Sequence, residues 1–110
     1  MSELQDLEQG IKDAEDLVSR RNMAIKLAGN HEFKTLFLDH YFTTEAARLV
    51  QLSADPILDS NKRADALAMA QATGHMKRYL SMMVQMGAVA DRELPDMHAA
   101  LDELRSVEME

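Results

Sequence analysis

Residues 2–30 read SELQDLEQGIKDAEDLVSRRNMAIKLAGN, and the spacing of their apolar positions decides the fold class. Ser2 suits a helix N-cap, with Glu3 and Asp6 where the positive end of a helix favours acids. Leu4, Leu7, Ile11, Ala14, Val18, Ile25 and Ala28 then occur at alternating spacings of three and four, broken at Arg21. That is a heptad seam about four repeats long, wrapped in charged residues. Gly10 weakens the helix locally. Gly29 and Asn30 supply a stop. The spacing predicts a helix over 3–28.

Outward from this stretch the same periodicity dominates, and no segment alternates cleanly enough to read as a strand. From His31 to Ala54, the residues Phe33, Leu36, Phe37, Tyr41, Leu49, Val50 and Leu52 give a broad apolar face. Thr43-Thr44-Glu45 either bends this segment or re-caps its second half, because Thr favours caps over helix interiors. Ala54 to Asn61 is the one convincing loop: Asp55 precedes Pro56, and Ser60 or Asn61 can cap the next helix. A third segment, rich in Ala and Met, runs from Lys62 to about Gly87, with Ala66, Ala70 and Gly74 forming a smooth ridge for a close helix. Beyond it Gly87, Ala90, Leu94, Met97, Leu101 and Leu104 resume the seam straight across Pro95. Pro95 either kinks one helix or sits in the first turn of another.

These segments predict an all-α fold of three to four helices. Long N- and C-terminal helices form a coiled-coil-like seam around a helical hairpin core. A single domain is expected, made of an N-terminal amphipathic helix (1–29), an apolar core (30–87) and an acidic C-terminal helix (88–110). The two seams are free to pair with each other or with copies of themselves. A chain this size has a modest core, which association would strengthen.

The chain has 110 residues and a net charge of -7, with no Cys, no Trp and nine Met. Without Cys there is no disulfide scaffold, thiolate zinc site or cysteine nucleophile. No apolar run approaches the ~18 residues of a membrane span, and the acidic start lacks a signal peptide's basic region. An intracellular, non-membrane chain is therefore expected. The charge is uneven: residues 1–29 sum to -2, residues 30–87 to zero and residues 88–110 to -5. Such an excess works against nucleic-acid backbones and anionic membranes.

Chemistry-bearing motifs are missing. A helical carboxylate-bridged metal site wants Glu-x-x-His pairs, but Ala28, Phe37, Ala72 and Pro95 precede the four His by three. No nucleophile elbow, P-loop or dinucleotide fingerprint occurs. Ser81 and His75, six apart, do not share a helix face. No catalytic, metal-binding or cofactor-binding residue is expected, and no enzyme. Arg20-Arg21, Lys62-Arg63 and Lys77-Arg78 are basic pairs that read more simply as solvated or salt-bridged than as phosphate contacts. Met76, Met82, Met83 and Met86 are the most unusual cluster: a plastic groove for a partner helix on one reading, core filling on the other.

Asn30 to Lys34, Glu45-Ala46-Ala47-Arg48-Leu49-Val50, Arg63 to Ala68 and Lys77-Arg78-Tyr79-Leu80 together resemble small acidic helical proteins from the structural and assembly regions of tailed-bacteriophage genomes. The resemblance covers roughly residues 1–105 and fixes no site residue. It implies a virion-associated or assembly-associated protein in the host cytoplasm, working through protein contacts as a homo-oligomer or with other virion proteins. The contact residues expected from the sequence are Leu4, Leu7, Ile11, Leu94, Leu101 and Leu104 for the seam, and Met82, Met83 and Met86 for docking. Two rivals stand beside this reading. One is an acidic regulator or inhibitor that binds a host enzyme, with imitation of nucleic acid by its acidic surface as one route, motivated by the acids at 91, 93, 96, 102, 103, 108 and 110. The other is a small DNA-packaging subunit using Arg63, Lys77 and Arg78.

Overall fold

The computed structural model describes residues 2–109, all helical apart from the connections, with no strand among the described residues. Helix α1 spans Glu3–Ala28. Helix α2 is composite: a turn His31–Phe33, a π-helical stretch Lys34–Glu45 and an α-helical end Ala46–Ser53. Helix α3 spans Ser60–Met109, 50 residues without interruption.

The helix ends arise from local chemistry. Ser2 caps α1 reciprocally with Gln5: the Gln5 amide donates to Ser2 Oγ at 3.1 Å and the Ser2 amide donates to Gln5 Oε1 at 3.3 Å. At the far end no glycine takes a positive φ, so Gly29 is not a left-handed cap. Asn30 makes the boundary instead. Its backbone is extended, with φ -73 and ψ 129, and its side chain accepts from the Phe33 amide, starting α2 as it ends α1. In the loop, the Asp55 carboxylate accepts from the Ile57 amide at 2.9 Å. Asp59 accepts from the Lys62 amide at 2.8 Å and is the cap of α3, ahead of the expected Ser60 or Asn61.

The Thr43-Thr44-Glu45 segment does not re-cap α2, which runs through it without a break. It sits where the helix returns from π to α register, and Glu45 makes no side-chain cap. The Thr43 hydroxyl donates to the Leu38 carbonyl at 3.0 Å and the Thr44 hydroxyl to the Asp39 carbonyl at 3.4 Å, both five residues back. That spacing matches the hydrogen-bond register of a π-helix. The same register brings the Phe37 and Phe42 rings, five apart, to 6.4 Å between centroids, while Phe33 stacks on Phe37 at 5.1 Å. The apolar face of α2 is narrower than its composition suggests. Phe42 and Leu49 are buried, but Leu36 and Val50 are exposed.

Pro95 lies inside α3, which continues through it rather than restarting. Proline removes the amide that would bond the Asp91 carbonyl. Both Asp91 and Pro95 are exposed, so water can serve that carbonyl, while Leu94, Met97 and Leu101 on the inner face hold the helix together across it.

The chain forms two compact units, 1–25 with 82–110, and 26–81, so α1 and α3 each contribute to both. In the second unit, α2 and residues 60–81 are joined by the 54–59 loop as a helical hairpin. Its buried positions are Phe42 and Leu49 on α2 and Ala66 and Thr73 on α3, each pair two turns apart. The expected ridge of Ala66, Ala70 and Gly74 is only partly used: Gly74 is exposed with nothing near it, and Thr73 is buried instead. The Thr73 hydroxyl is satisfied by the Ala70 carbonyl at 2.7 Å.

In the first unit α1 and the end of α3 run antiparallel. Glu8 meets Arg105, Gly10 meets Met97 and Arg21 meets both Gly87 and Asp91. The core is Ile11, Ala14, Ala90 and Leu101, with Gly87 also buried.

A closed helical seam and its apolar flank

The two seams of the first unit face each other within one chain. On α3 the inward line is Met83, Gly87, Ala90, Leu94, Met97, Leu101 and Leu104, all buried or half-buried at alternating spacings of four and three. On α1, Leu4 and Leu7 are half-buried and Ile11 and Ala14 buried, as the heptad spacing demands. Further along, the line moves. The expected Val18 is half-buried, as are Leu17, Arg21 and Ala24, but Ile25 is 54% exposed.

Small residues set how close the helices come. A Cβ built on Gly87 would lie 2.2 Å from Arg21 Cβ and 2.7 Å from the Leu17 carbonyl oxygen, so the two backbones touch there. Arg21, which interrupts the apolar repeat of α1, thus occupies a seam position opposite a glycine. Its stem lies in the interface and its guanidinium reaches out to donate to Asp91 at 3.3 Å, the behaviour of a long amphipathic side chain at a helix margin. At the open end Arg105 donates to Glu8 at 3.3 Å. The carboxylates of both pairs are exposed, and bridges to exposed groups are worth at most ~1 kcal/mol, so they fix register more than stability.

The methionine cluster divides. Met83 belongs to the inward line, whereas Met82 and Met86 are 44% and 45% exposed and align with Val89, 43% exposed, beside the seam. Met86 and Val89 wall an open groove of about 510 Å³ whose other side is Leu17 and whose floor includes Met97. Asp13 and Glu93 line its edges. A second groove, about 700 Å³, is of mixed character: Ile11 and Leu101 line it together with Glu8, Lys12, Glu15, His98 and Arg105. Met76, in the second unit, is also exposed.

The remaining candidates are scattered. His31, His40 and His75 are exposed, and among the described residues no three His, Asp or Glu side chains come together in a way that could hold a metal ion. Of the basic pairs, Arg21 is engaged with Asp91, Arg63 is half-buried, and Lys77 and Arg78 are exposed. The one perturbed carboxyl among the described residues is Glu45. The Arg48 guanidinium, bonded to it from one turn on, holds it below the ordinary glutamate range and is itself raised. No described helix is long and apolar enough to cross a membrane. Compared with known proteins, the chain matches no family model, no curated protein and no solved structure.

Proposed function

We propose that the protein is a non-enzymatic structural or assembly component, of the virion-assembly kind that the resemblance implies. It works by docking through an exposed apolar helix face. The observation that carries this reading is the stripe of Met82, Met86 and Val89, left exposed beside a seam that already closes within the chain. With Leu4, Leu7, Ile11, Leu94, Leu101 and Leu104 spent on intrachain packing, a terminal seam shared between copies is the less favoured route. The adaptable Met surface is the favoured one.

The test is capture from a phage-infected lysate on immobilised wild-type protein and on a Met82→Glu, Met86→Glu, Val89→Glu variant. Assembly proteins should be retained by the wild type and lost from the variant, with the variant's helicity and melting unchanged. Equal retention, or none, overturns the proposal. A second reading, an acidic regulator of a host enzyme, draws support from the exposure of Glu93, Asp96, Asp102, Glu103 and Glu108 along α3. Neutralising these five should then abolish inhibition of the target enzyme.

A further inference from the structure

We infer that the groove between α1 and α3 in the first unit receives a cationic amphipathic helix of a partner protein. This rests on the docking reading above and names the class of partner. The groove has apolar walls and an acid on each edge. Leu17 and Met97 lie inside, Met86 and Val89 form the outer wall, Asp13 stands on the α1 side and Glu93 on the α3 side. Asp13 and Glu93 are exposed, and neither has a cation partner among the described residues. The field behind them has the same sign: the first unit carries thirteen acids and five bases, net -8, whereas the second unit is net +1.

An apolar channel between two antiparallel helices matches the apolar stripe of a third, read as anchors at i, i+3 or i+4, and i+7. Lys or Arg flanking such a stripe would meet Asp13 on one side and Glu93 on the other, which sets orientation and speeds encounter. The charge also argues against the other occupants. A second copy brings net -8 against net -8, and a nucleic acid brings phosphates to the same surface. Met86 on the wall and Met97 inside the groove can adapt to the anchors they meet.

The experiment titrates full-length protein into two labelled synthetic helices of about 18 residues, long enough to fold on docking. Both carry the same Leu stripe, one flanked by Lys and the other by Glu, and binding is read by fluorescence anisotropy at low and moderate salt. The Lys helix should bind, the Glu helix should not, and binding should weaken with salt. Asp13→Lys with Glu93→Lys should lower affinity for the Lys helix by about tenfold, a figure scaled from exposed charge pairs. Met86→Glu should abolish binding. If both helices bind alike, with Met86→Glu still blocking them, the cationic class is overturned while docking at this face stands. If neither binds and the chain self-associates through Met86, a second copy is the occupant and the inference fails. If neither binds and the chain does not associate, the docking reading fails with it.

Discussion

Replacing Gly87 with Ala should destabilise the protein although alanine is the better helix former. The new Cβ would sit 2.2 Å from Arg21 Cβ and 2.7 Å from the Leu17 carbonyl oxygen, where carbon contacts are comfortable only at about 3.5–4.0 Å. The Leu17 oxygen is backbone and cannot swing aside, so α1 and α3 must separate and the neighbouring Ala14 and Ala90 lose contact. Overpacking of this kind costs about 1–3 kcal/mol. The propensity gain from Gly to Ala returns ~0.5–1 kcal/mol. The two ranges leave a net loss of about 0–2.5 kcal/mol, a fall in Tm of up to roughly 12 °C for a domain of this size. Gly74→Ala is the internal control. It lies in the same helix with nothing within 4 Å of the added carbon, so only the propensity gain remains and Tm should rise by about 2–5 °C. Thermal and urea unfolding followed by circular dichroism measure both. A Gly87→Ala protein as stable as Gly74→Ala would refute the close approach of the two helices.

The same geometry carries three further expectations. Pro95→Ala should stabilise by about 1–2 kcal/mol in urea unfolding, because it restores an amide to a helix that already runs through the site and returns only part of the gain as unfolded-chain entropy. Thr43→Val keeps the side-chain shape but removes the hydroxyl bonded to the Leu38 carbonyl. A loss of about 0.5–1.5 kcal/mol is expected, and full stability would show that the π register does not lean on that bond. The Glu45 carboxyl, monitored by NMR, should titrate below the ordinary glutamate pKa of about 4.3, and its midpoint should rise in Arg48→Gln. Because its folded pKa is the lower one, its contribution is present above the ordinary value and disappears as pH falls through the lowered one.

The long terminal helices were legible because their apolar positions recur with the helical period, and the boundary of α1 at Ala28 fell where it was expected. Other features turned on tertiary contact or on register. Gly87 reads as punctuation in the sequence, yet it is the close-approach residue. The available signal was that a lone glycine opens the second seam while a lone arginine interrupts the first. Ile25 looks like a seam residue and is exposed, while Leu17, Val18, Arg21 and Ala24 are half-buried, so apolar spacing alone does not say where the contact with α3 ends. The π register of α2 had no periodic signature, since its Phe and Thr residues serve an α-helix nearly as well. Of the expected contact residues, Met82 and Met86 remain at the surface while Met83 turns inward, a split that the spacing of four from 82 to 86 hints at but does not decide.

The terminal helices close on each other within one chain, and mass in solution tests that closure most directly. Light scattering behind size exclusion, over a concentration series at low and moderate salt, should return the 12.4 kDa monomer throughout. A defined oligomer that falls apart when Leu94 or Leu101 is replaced by Ala would contradict it, placing the seams between chains instead.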